Sequence, residues 1–195
     1  MNQPLHTGRL VLTPEDPYLL PDDPEAILTK LHEIGLIEGA LESGPGYLLG
    51  EHFMQLVTFM GCSPYIRLQA DASGEPFCHL LQDGPYPRPK LLCGTNTQPP
   101  RCEACRKRLS KWRDSFESCQ TGNDGCKVGC PHCGHRQDPF TYDFRQSAGC
   151  GRLFLFVENI FPQEAIPSPT LLAALELACI GHPWRYFYQQ IRSPG

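Results

Sequence analysis

Apolar positions recur at helical spacing in four stretches of the chain and gather into short runs elsewhere. Ile27, Leu28, Leu31 and Ile34 fall on one face; Asp23 and Pro24 ahead of them supply a cap and a first-position proline, and Gly35 behind them is a stop, which predicts a helix. LIEGAL at 36–41 reads as a short strand, and GPG at 44–46 breaks the chain. Phe53, Leu56, Val57 and Met60 predict a second helix, closed by Gly61 and carrying Glu51, His52 and Gln55 on its polar face. PYIRLQ, PFCHLL and PKLLC, separated by the turn-rich DASGE and QDGPYPR, predict a small antiparallel meander. GRLFLFVENIF reads as a strand, Ser168 and Pro169 cap a helix through LLAALELACI to Gly181, and PWRYFYQQ is a last aromatic strand. In that strand Tyr186 and Tyr188 share one face and Phe187 takes the other.

Laying LIEGAL over FVENIF aligns Glu38 with Glu158 and Gly61 with Gly181 at a constant offset. Each side then runs as strand, broken loop, helix, glycine and a further strand. This order predicts an α+β fold of two similar strand-helix-strand units packed into one sheet, for which a ferredoxin-like sandwich is one arrangement. The expected division is an N-terminal α/β half over 1–94, a cysteine-rich insert over 95–150 and a C-terminal half over 151–195. The insert has few aliphatic residues and is expected to build no ordinary core of its own. If the halves are related, Glu38 and Glu158 would face each other as a pair for acid and base chemistry in a pocket between the units.

Composition narrows the function. Twenty prolines and eighteen glycines predict many turns, and a net charge of -4 argues against whole-surface binding to nucleic acid or acidic membranes, so any such binding is local. The start, MNQPLHTGRLVLTPEDP, has neither the basic nor the apolar region of a signal peptide, and no apolar run is long enough to cross a bilayer. A cytoplasmic protein is expected. Eleven cysteines in a reducing compartment would stay unpaired, and the odd number fits no closed disulfide framework, which turns attention to metal and redox chemistry.

Cys102 and Cys105 form one CxxC in PPRCEACRKR, and Cys130 and Cys133 form another in GCPHCGHR, with 24 residues between the inner cysteines. Each CxxC turn aims two thiolates at one point, and two such turns complete a tetrahedron of soft ligands suited to zinc. Over about residues 100–136 the pair resembles the two knuckles of a zinc ribbon, and CPHCG is also similar to the second knuckle of rubredoxin. The resemblance implies these four cysteines as ligands of a mainly structural zinc, or of iron in an electron carrier. The intervening piece departs from a ribbon, being rich in Gly, Asn and Asp and carrying Cys119 and Cys126. A rival set therefore stays open, in which Cys119 and Cys126 join Cys130 and Cys133, with His132 or His135 replacing one of them; otherwise Cys119 and Cys126 are free thiols. Cys62, Cys78, Cys93, Cys150 and Cys179 lie in or beside apolar runs and are expected as small buried hydrophobes. CPHC is also the dithiol of a thiol oxidase, but GNDGCKVG before it is no buried strand, and Gly134 and Pro139 after it leave no room for the helix that would activate a thiolate.

Residues 101–113, RCEACRKRLSKWR, hold six basic side chains and one acid. Leu109, Trp112 and Phe116 fall at helical spacing and predict a short amphipathic helix after the first knuckle. Arg106, Lys107, Arg108, Lys111 and Arg113 on its outer face are the candidate nucleic-acid contacts. His79 in FCHLL reads as a satisfied histidine. No phosphate loop, nucleophile elbow, hydrolase histidine pair or dinucleotide fingerprint is present. The reading is a zinc-binding module that recognises a protein partner, with a nucleic-acid module, a rubredoxin-like carrier and an enzyme as the alternatives.

Overall fold

The computed structural model of the chain describes residues 8–42, 44–60, 66–70, 74–120, 125–161 and 163–191. It opens with strand β1 (Gly8–Pro14), in which Leu10 and Leu12 point to one side, Val11 to the other, and all three are fully buried. A strand apolar on both faces belongs inside a sheet. Asp23 then accepts from the amides of Glu25 and Ala26 and caps α1 (Pro24–Glu33), as the sequence predicts. Gly35, at a φ of 72°, turns the chain into β2 (Ile37–Ala40), which pairs with β3 (Tyr47–Leu49). The next helix differs from expectation: α2 (Phe53–Leu56) lasts one turn and gives way to β4 (Val57–Phe59). Val57 and Thr58 are β-branched and have a strand to pair with, so tertiary pairing overrides the helical spacing, and Met60 is left 63% exposed. Gly61, the expected cap, and Cys62 lie outside the described residues.

The expected meander is not formed. Residues 66–70 make no strand, β5 (Leu80–Asp83) joins the main sheet, and β6 (Lys90–Cys93) leaves it. The cysteine-rich stretch contributes α3 (Trp112–Gln120) and the two-residue strands β7 (Val128–Gly129) and β8 (Arg136–Gln137). Then come β9 (Ala148–Gly151), β10 (Phe154–Ile160) and β11 (Ala165–Pro167), the last paired with β4. Ser168 accepts from the amide of Leu171 to cap α4 (Pro169–Ala178), and β12 (Trp184–Gln190) ends the fold.

Six strands form one antiparallel sheet in the order β12-β1-β10-β5-β3-β2. On one face Leu10, Leu12, Leu155 and Val157 pack under Ile27 and Leu31 of α1 and Leu171 and Leu175 of α4. Each of these side chains is fully buried, and each contributes roughly 1.5–3 kcal/mol to the transfer from water. On the other face Val11, Phe154, Phe156 and Phe187 form a smaller cluster with Leu92 of β6. The α+β class is as expected, but Glu38 and Glu158 are not equivalent. Glu38 is exposed on the edge strand β2, whereas Glu158 lies on the interior strand β10 in an ion pair with Arg9 at 3.0 Å. Two strands separate them, so roughly 14 Å of sheet keeps them from acting as a pair.

The β6–β9 ribbon connects this sheet to the cysteine-rich stretch by alternation. Leu92 faces the sheet, and Gly149 and Gly151 face it too: a Cβ on Gly149 would come 2.5 Å from the Phe187 ring, and one on Gly151 would come within 2.2 Å of Thr13 Oγ1. Leu91, Cys93, Ala148 and Cys150 face the opposite way, into a second core with Leu109, Trp112, Phe116, Phe140, Tyr142 and Phe144. The expectation that the stretch has no core is therefore corrected. It has few aliphatic side chains but closes around tilted and edge-on rings, with Phe116 5.4 Å from Phe140 and Trp112 5.1 Å from Phe144.

Candidate metal centre

Two backbone turns of the same design meet at the edge of the aromatic core. In the first, Cys102 donates its amide to Lys107 O at 3.0 Å and accepts at its own carbonyl from Arg106 N at 2.9 Å. In the second, Cys130 donates to His135 O at 2.8 Å and accepts from Gly134 N at 2.9 Å. The fifth residue of each turn adopts a left-handed conformation, at φ 74° for Gly134 and 61° for Arg106, so the first turn carries an arginine where the second carries the glycine such a turn favours. The turns are held together by the Glu103 amide donating to Gln137 Oε1 at 3.4 Å and by a contact of 2.5 Å between His135 Nε2 and Glu103 Oε1.

The sulfurs of Cys102, Cys105, Cys130 and Cys133 all lie within 4.8 Å of one another. Across the turns, Cys102 Sγ is 3.7 Å from Cys133 Sγ and Cys105 Sγ is 3.8 Å from Cys130 Sγ. A tetrahedral zinc with bonds of about 2.3 Å requires its sulfurs about 3.8 Å apart, so the donor set fits the ion. Amides point at these sulfurs; His132 N lies 3.4 Å from Cys130 Sγ. For Cys130, burial opposes ionisation, but the amides of His132 and Cys133 and the thiols of Cys102 and Cys133 outweigh it and bring its pKa down to about 7. The amide of Cys105, against burial, lowers Cys102 as well. Cys133 accepts from the amide of His135, yet burial and the crowding of Cys105, Cys102 and Cys130 outweigh that and push it up to about 12. Four sulfurs this close do not all ionise without a cation among them.

The rival ligands stand elsewhere. Cys119, at the end of α3, and Cys126 form a disulfide across a Cα separation of 5.5 Å, so they are neither free thiols nor members of the cluster. His132 Nε2 lies 3.3 Å from Arg108 O, and His135 contacts Glu103 as described. Replacing Cys119 and Cys126 together by serine is expected to leave the metal content unchanged and to lower the stability of this segment by about 2–3 kcal/mol, the entropy of a short closed loop. Denaturant unfolding beside metal analysis reads both, and a loss of metal would restore these cysteines as ligands.

Arg106, Lys107, Arg108, Lys111 and Arg113 are all exposed, but they do not share a helical face. The first turn runs through Lys107, Arg108 bridges to Arg101, and Leu109 N donates to Pro100 O, so α3 begins only at Trp112 and Arg113 alone lies in it. Trp112 is 2% exposed and packs on the ring core, with the Arg113 guanidinium 4.2 Å over its ring. Cys78 donates to Asn159 O, and burial takes its pKa up to about 12; burial also raises Cys93, Cys150 and Cys179. His79 Nδ1 lies 3.0 Å from Phe77 O, the satisfied histidine the sequence suggests. A cleft of about 410 Å³ lies between the ends of α1 and α4, beside Asp22, Asp23, Cys179 and His182. There Asp23 is spent as a helix cap, and burial holds the Cys179 thiol neutral.

The chain matches no protein-family model, no curated protein and no solved structure. Among the described residues no helix is long and apolar enough to cross a membrane.

Proposed function

We propose that the protein binds one zinc ion through Cys102, Cys105, Cys130 and Cys133, and that the zinc is structural and organises residues 95–150 as a surface for recognising another macromolecule. The observation that carries this is the pair of sulfur separations at 3.7 and 3.8 Å, close to the edge of a zinc tetrathiolate. Four thiolates saturate zinc and leave no position for water or substrate, which favours an adaptor over a catalyst. Two further points belong to the same proposal. The strand order β12-β1-β10-β5, with α1 and α4 on one face, supports a ferredoxin-like sandwich as the body of the fold. The separate aromatic core supports division of the chain near residues 94 and 151.

Metal analysis of the purified chain beside its Cys130→Ser variant tests the reading. One zinc per chain that the variant loses is the expected result; a metal-free protein would overturn it, and a red iron-loaded one would favour electron transfer. Zinc uptake should also depend on pH. Cys133 keeps its proton at neutral pH in the metal-free cluster, so binding must expel it, and affinity should rise as pH rises and fall on acidification. Calorimetric titrations near pH 7 in two buffers of different ionisation enthalpy should differ by at least one proton released per zinc.

A further inference from the structure

A groove of about 430 Å³ runs between α3 and the β7–Pro131 segment, beside the cysteine cluster. Its floor is apolar: Leu109, Trp112 and Tyr142 are buried beneath it, and Val128 forms part of its wall. Sulfur ties bind its two walls. The cysteine cluster joins the turn before α3 to the one that carries Pro131, and the Cys119–Cys126 disulfide joins the end of α3 to the approach to β7. A site held open in this way loses little entropy on binding.

Charge gives the groove a sign. Residues 101–137 hold eight Lys and Arg against four Asp and Glu, in a chain that has 17 against 21. Lys111 lines the groove; Arg108, Arg113 and Lys127 adjoin lining residues in sequence, and all four are exposed. Among the described residues none of the four is in an ion pair, and Asp114 is the single acid in the lining. We infer that the groove takes an acidic amphipathic segment of a partner protein, with apolar side chains against Val128 and Pro131, the accessible apolar residues of the lining, and carboxylates on this basic rim. A single-stranded nucleic acid fits less well. Trp112 and Tyr142 are 2% and 4% exposed, and Arg113 already covers Trp112, so neither offers an open ring on which a base could stack.

This assignment rests on the zinc reading, and the experiment separates the two. The probe is a fluorescent peptide of about 12 residues with Leu and Phe at helical spacing and Asp and Glu between them, titrated into the full chain whose zinc content is measured on the same sample. Saturable binding is expected, weakening about ten-fold or more between roughly 50 and 300 mM salt. A similar loss is expected in a Lys111→Glu, Arg113→Glu double variant, and in Ser118→Trp, which fills the groove from an exposed position. A peptide with Lys in place of the acids should not bind. Zinc present without peptide binding overturns the groove assignment alone, binding without zinc overturns the metal reading alone, and absence of both overturns both. Tighter, salt-sensitive binding of an oligonucleotide that survives Ser118→Trp, or self-association that blocks the peptide, would give the surface to nucleic acid or to a second copy and overturn the assignment.

Discussion

Chelation of the proposed zinc should unfold residues 95–150 while the six-stranded sheet stays folded, and the two tryptophans allow each event to be seen separately. Trp112 lies in the aromatic core beside the cluster, and Trp184 lies in the main core on β12. With Trp184 replaced by Phe, emission from Trp112 should shift to the red as metal is removed; with Trp112 replaced by Phe, emission from Trp184 should hardly move. The expected effect is large because a structural zinc contributes about 10–16 kcal/mol of apparent binding free energy, as much as the whole stability of a typical domain of about 5–15 kcal/mol. The segment is otherwise held by one modest ring cluster, the Cys119–Cys126 disulfide, the short β6–β9 contact and a few hydrogen bonds to β12, among them Asn96 Nδ2 to Tyr188 O and Tyr188 N to Gln146 O. Unchanged Trp112 emission after complete metal removal would mean that the rings alone hold the segment. Simultaneous exposure of Trp184 would mean that the sheet needs it as well.

Local features of the fold were legible in the sequence and long-range ones were not. Asp23 with Pro24 and Ser168 with Pro169 announced α1 and α4 because capping is settled within a few residues. The four cysteines were legible for the same reason, since each CxxC makes its own turn, and only the meeting of the two turns needed the fold. β1 was missed: its apolar run is short, and it becomes a central strand only through partners about 150 and 180 residues away. β6 was taken for a neighbour of β5 because the two are adjacent in sequence, yet it pairs with β9. The aromatic core had a signal that went unused. Phe140, Tyr142 and Phe144 alternate with exposed Thr141 and Asp143 where a single 3-10 turn over Pro139–Thr141 leads into non-helical backbone, and all three rings reach the same core. The disulfide had none, because seven residues of separation say nothing until α3 fixes where Cys119 points.

Those rings make the second large prediction. Phe116 is 3% exposed and is the hub of the aromatic core, with ring centroids of Trp112, Phe140, Tyr142 and Phe144 between 5.4 and 6.2 Å away. Phe116→Ala should cost about 3–5 kcal/mol, the lost transfer free energy together with the cavity left among rings that cannot close on it. The cost should also appear at the metal, since the proposed zinc would bind the folded segment and the metal-free segment is expected to be unfolded. Binding must then drive the folding of a weakened core, and affinity should fall about a hundred-fold or more at about 1.4 kcal/mol per ten-fold. Competition against a chelator of known affinity measures this directly, with Ser118→Ala on the exposed side of the same helix as the control expected to change little. Equal zinc affinity in Phe116→Ala and the parent would mean that the two turns assemble the site without the core. The rings would then support only the surface around it, and the metal would not be coupled to the fold through α3.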